Sequence, residues 1–206
     1  NFRETYYYQM LQNCLQVNEG DGHFQEQAHL SGVASTDWSW GALIFDFDND
    51  GQQDILVCNG IYHNITDMDF TDFVSDQDNI RKLVEEKGKF DARDLLPNLA
   101  STPLANYAFK NLGGLQFQNE AFELGLATKS FSNGAAYGDL DGDGDLDLIV
   151  NNLNMPCFAY QNQSTERGRQ HFLKIRFEGQ GQNPLGIGAK VTIRSGEVEQ
   201  TAQHFL

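Results

Sequence analysis

The sequence predicts an all-β chain made of β-propeller blades, and three observations carry that expectation. The chain repeats itself without a gap at an offset of 93 residues. Each copy reads as short β-branched or aromatic runs bounded by Gly and Asp, the pattern of strands around tight turns. One acidic stretch between two such runs changes to a helical period, as an insertion would.

The repeat comes first, because a missed repeat misreads the whole fold. Over positions 13–60 there are 18 identities with positions 106–153, where chance would give about 3. Residues 7–29 read as the outer strands of a preceding blade. Residues 40–45 and 55–58 flank one Asp-rich turn, and residues 134–138 and 148–150 flank its copy. Third strands are expected at 107–110 and 157–160, and a fourth at 116–119 after an Asn-Leu-Gly-Gly turn. Four strands per unit, with the unit repeated, describe four-stranded propeller blades. The surplus lies at 61–104, where Phe70, Phe73, Ile80, Leu83 and Val84 fall on one helical face and Asp91 is placed to cap a helix. Without that mostly helical insertion each unit is about 48 residues, an ordinary blade length.

The two Asp strings carry the chemistry. Asp46, Asp48, Asp50 and Asp54 recur as Asp139, Asp141, Asp143 and Asp147, with Gly51 and Gly144 at the sixth position. Alternate side chains of a tight loop converge, and crowded carboxylates repel unless a cation sits among them. An oxygen-only donor set selects a hard ion, and Ca2+ tolerates the irregular shell such a loop offers. The backbone carbonyl of the seventh residue, Gln52 or Asp145, is expected to complete each ring. An EF-hand would end in a bidentate Glu at the twelfth position, where this chain has Val57 and Val150. Two calcium sites that staple strand-to-strand turns are therefore expected, not a sensor.

Composition narrows the function classes. With 14 Lys plus Arg against 29 Asp plus Glu, the 206-residue chain has a formal charge of −15. Nucleic acid and anionic membrane surfaces are therefore not expected partners, and no apolar run is long enough to span a bilayer. Cys14, Cys58 and Cys157 are too scattered for a zinc site and are read as buried small hydrophobes, with at least one thiol free or paired between chains. No nucleophile motif or His-Glu-x-x-His appears. Asp67, Asp69, Asp72, Asp76 and Asp78 are read as belonging to solvated helix starts, and Trp38 and Trp40 as core or inter-blade packing.

Residues 41–57 and 133–150, which contain the two Asp strings, resemble FG-GAP/VCBS repeats, the blades of integrin-α-type propellers. The Asn18-Glu-Gly-Asp-Gly-His-Phe24 turn resembles that family's outer-strand turn, as does Asn111-Leu-Gly-Gly-Leu-Gln-Phe117 apart from Leu115. Residues 171–206 resemble the opening of the ASPIC/UnbV domain, a small β module that follows such repeats in cartilage acidic protein 1 and in many bacterial envelope proteins. The resemblance implies two loop-bound calcium ions and a secreted or surface-held protein, in a bacterial envelope. Because closure takes at least four blades, it also implies either a longer protein, the favoured reading, or copies of the chain that complete one another. Exposed blade faces are expected to self-associate. A non-enzymatic scaffold for an extracellular protein or glycan is the expected function. The alternative is a polysaccharide hydrolase or lyase built on the same propeller.

Overall fold

A computed structural model describes residues 12–64, 66–89, 91–164, 172–196 and 198–205. Its framework is a set of small antiparallel sheets. Strands β1 (Gln16–Gly20) and β2 (His23–Glu26) form a hairpin. Next come β3 (Ser39–Phe45), β4 (Asp54–Asn59), β7 (Tyr107–Asn111) and β8 (Phe117–Asn119), hydrogen-bonded in that order as one four-stranded blade. Strands β9 (Ser132–Gly138), β10 (Asp147–Asn152) and β11 (Phe158–Tyr160) repeat its first three positions. The described residues show no closed propeller.

Packing explains why these strands stack as blades. Strand β4 is buried along its whole length, and successive side chains of a strand point to opposite faces. Ile55 and Val57 therefore meet Phe109 and the turn after β2, through Ala28, Val33 and Ala34. Leu56 and Cys58 point the other way, into a core shared with Phe45 of their own blade and with Leu148 and Val150 of the neighbouring one. The innermost strands β3 and β9 run so close that a Cβ on Gly41 would lie 3.2 Å from the Gly134 Cα. Those glycines are equivalent positions of the repeat. A side chain on Gly41 would press on the β9 backbone, whereas a Cβ on Gly134 would meet nothing within 4 Å.

The insertion lies between the second and third strands of the first sheet, β4 and β7, and it is not purely helical. It opens with β5 (Ile61–Asn64) and closes with β6 (Ala100–Thr102), which pair with each other. The single helical face is split into α1 (Met68–Ser75) and α2 (Gln77–Lys87). Asp67 caps α1 and Asp76 caps α2, each carboxylate accepting a backbone N–H of the first turn. Asp91 caps a short 3-10 helix, Ala92–Asn98. Neither α-helix buries a residue, so the pair projects from the blade.

Two further readings need correction. Only Cys58 is a buried small hydrophobe; Cys14 and Cys157 are exposed, and all three are free thiols. Trp40 is 52 % exposed rather than packed in a core. Its indole N–H donates to the Gly60 carbonyl at 2.6 Å, which holds the ring at the rim of a cavity lined by Tyr62, His63, Phe131 and Leu153. Beyond the second blade, the C-terminal segment forms one hairpin, β12 (Lys190–Ser195) with β13 (Val198–Gln203).

Candidate metal centres

Residues 46–54 (loop 1) join β3 to β4, and residues 139–147 (loop 2) join β9 to β10. Both are built the same way. Gly51 and Gly144 sit at φ +89° and +96°, a region that costs L-residues with side chains about 1–2 kcal/mol. Asn49 and Gly142, two positions earlier, also have positive φ. These turns fold each loop back on itself. Asp46, Asp48 and Asp50 then bring carboxylate oxygens within 4.8 Å of one another, and Asp139, Asp141 and Asp143 do the same.

Backbone amides hold the carboxylates in place. Asp46 accepts from the N–H of Asp50 and of Gly51, at 3.1 and 2.8 Å, and Asp50 accepts from Gln52 at 2.8 Å. In loop 2, Asp139 accepts from Gly142 at 2.8 Å, and Asp143 from Asp145 at 2.9 Å. The two loops also touch. Asn49 donates a side-chain N–H to Asp145 at 2.6 Å, and the Asn162 amide donates to the Phe47 carbonyl at 2.7 Å.

Asp54 and Asp147, the ninth positions, stand apart from the triads as buried clamps. Asp54 accepts from the backbone N–H groups of Phe47 and Asn111, at 3.1 and 2.8 Å. Asp147 accepts from Leu140 and Asn162, both at 2.9 Å. Asp54 thus ties the start of its loop to the end of β7, and Asp147 ties its loop to the residues just past β11. Each oxygen keeps a second lone pair. Burial pushes Asp54 up from the usual carboxylate range to about 6. Burial also raises Asp46, against the pull of the Gly51 N–H.

Around the triads the copies diverge. The Lys110 ammonium, from β7, pairs with Asp48 and lies 3.8 Å from Asp50; the bond to Asp48 raises its pKa. At loop 2, Gln161 donates to Asp141 at 2.7 Å. Lys174 pairs with Asp139 at 3.0 Å and draws that carboxyl below its ordinary range. Neither lysine was apparent from the repeat, because both lie outside the Asp strings. Asp145 is fully buried, and the Gln52 side chain reaches toward the Asn111 carbonyl at 3.4 Å.

The donor chemistry fits a hard divalent cation. Every convergent side-chain donor is a carboxylate oxygen, with no His or Cys in either triad. No helix among the described residues is long and apolar enough to cross a membrane. Comparison with curated proteins finds no match. An FG-GAP-like repeat is found at residues 10–57, a span that takes in the β1–β2 hairpin, β3, the whole of loop 1 and the first part of β4.

Proposed function

We propose that this chain is part of a calcium-stabilised, propeller-type binding scaffold that works outside the cell and carries no catalytic activity. The observation behind this reading is the pair of matched Asp triads on equivalent hairpins, each with its oxygens gathered within 4.8 Å. Asp46, Asp48 and Asp50 would hold one ion with the Gln52 carbonyl and Asp54. Asp139, Asp141 and Asp143 would hold the other with the Asp145 carbonyl and Asp147. The bound ion supplies the positive charge that lets the carboxylates stay together. The chain's own part is to shape each turn through a glycine and to lock it to the third strand, or to the residues just past it, through a buried Asp. Extracellular calcium is abundant enough for loop sites of modest affinity.

The resemblance to FG-GAP/VCBS and ASPIC/UnbV proteins supports a surface-held role in a bacterial envelope, with a protein or glycan as ligand. The first blade's insertion and the half-exposed Trp40 lie at the strand ends opposite the Asp loops, and recognition is assigned to that end. Thermal melts in calcium and in EDTA, run beside a glycan-turnover panel, test the proposal. Saturating two sites at a hundredfold their Kd would add about 5 kcal/mol, or about 10–20 °C for a chain of this size, with no turnover. Identical melts in both buffers would refute the calcium reading, and calcium-dependent turnover would refute the non-enzymatic one.

A further inference from the structure

Asn111 and Asn162 play the same structural part, since the backbone N–H of each donates to the ninth-position Asp of its loop, at 2.8 and 2.9 Å. The residues just before them are therefore equivalent: Lys110 in the first blade and Gln161 in the second. Both side chains reach the same target, the third-position Asp of the triad. Lys110 bonds Asp48, and Gln161 bonds Asp141 at 2.7 Å. The position and the contact are matched, and the charge is not.

An ammonium among carboxylates does part of a metal ion's work and stands in its way. A calcium ion entering loop 1 must either displace Lys110 from Asp48 and Asp50 or settle beside a like charge. Lys110 cannot retreat far, because its backbone is fixed within β7, an inner strand of the four-stranded sheet, and its side chain is only 29 % exposed. Loop 2 has a nearby ammonium too, Lys174 on Asp139. That side chain is 70 % exposed and comes from a stretch without regular structure, so water screens it and lets it swing away. Loop 2 also carries Asp145 where loop 1 carries Gln52. Both differences act in one direction, since each leaves more negative charge beside an ion in loop 2 than in loop 1.

Building on the calcium reading above, we propose that the residue before this asparagine sets each loop's affinity and its dependence on metal. Lys110 is a built-in counterion that weakens calcium binding at loop 1 and keeps that loop in shape without metal. Gln161 leaves loop 2 as the tighter site and the one that relies on calcium.

Calcium titration calorimetry on the whole chain tests this with K110Q and the reciprocal Q161K. The unsubstituted chain is expected to show two unequal sites. K110Q tightens the weaker one on the order of tenfold, and Q161K loosens the tighter one by a similar factor. Melts add a readout that a merely structural lysine would not produce: K110Q lowers the melting temperature in EDTA, and the deficit closes in calcium. The inference is overturned if neither variant moves a binding constant, or if K110Q destabilises equally in both buffers. If the unsubstituted chain itself bound no calcium, the calcium reading would fall and this inference with it. Calcium binding that ignores both substitutions would remove this inference alone.

Discussion

In the first blade the Asp hairpin meets a lysine from its own sheet; in the second it meets a glutamine just past its own sheet's third strand and a lysine from the C-terminal segment. The turn glycines and the ninth-position clamps are the same in both, down to which backbone amides are bound. Loop shape is thus set inside the nine residues, by backbone geometry and a buried carboxylate. The charge facing a metal is set outside them, by side chains arriving from a third strand, from just past one or from a separate segment. Duplication therefore preserved the frame and left the electrostatics free to diverge.

The clamps offer the strongest test of what the loops share. Replacing Asp54 or Asp147 with Ala strands two backbone N–H groups, one buried and one part-buried at Asp54 and both part-buried at Asp147, so each is expected to cost about 2–4 kcal/mol in urea denaturation. A large cost at one and none at the other would break the equivalence. The turn glycines come next. G51A is expected to lose about 1–2 kcal/mol, because its backbone needs a positive φ and only the end of the Gln200 side chain occupies the Cβ space. G144A should lose more, because the Phe172 ring lies where its Cβ would go. Equal losses would mean that Phe172 does not rest on loop 2.

A pH series sharpens the electrostatic side. Burial raises Asp54 from 3.8 to about 6, so between those values the folded, metal-free chain holds a proton that the unfolded chain has released. That contribution is complete below about pH 4 and is lost as pH rises through 6, at about 1 kcal/mol per pH unit. D54N should lack this slope in EDTA, and an unchanged slope would place the effect elsewhere. The outer turns give the smallest effect. Gly20, Asp21 and Gly22 have positive φ, and so do Gly113, Gly114 and Leu115; Asn18 and Asn111 each accept the N–H of the residue two further on, at 2.9 Å. Each turn places one side chain there, Asp21 in the first and Leu115 in the second, and Asp tolerates this region better than Leu. L115G should therefore raise the melting temperature, for a gain of about 1 kcal/mol, and a loss would show that Leu115 packs more than it strains.

Much of the first blade was legible because its information is local. Gly51 and Gly144 mark turns, the alternating runs mark strands, and Asp at matched offsets marks converging carboxylates. The insertion was legible as a change of period, and its closure was not. β5 and β6 are short, and neither is buried, so no apolar alternation announces that Ile61 will face Thr102. Trp40 was misread for a similar reason: a strand's own sequence does not say whether anything covers its far end. Asp54 and Asp147 were read as ligands like their neighbours. Their use as clamps depends on Asn111 and Asn162, which lie 57 and 15 residues away.

The order of strands along the chain, the repeat, the two turns and the oxygen-rich character of both loops follow from residues within a few positions of one another. Backbone torsion preference and side-chain spacing act at that range. Which lysine neutralises which carboxylate, which face of β4 meets which blade, and which tryptophan stays in water were decided by tertiary structure alone. Those outcomes depend on distances between residues remote in sequence, and Coulomb attraction and close packing respond only to such distances.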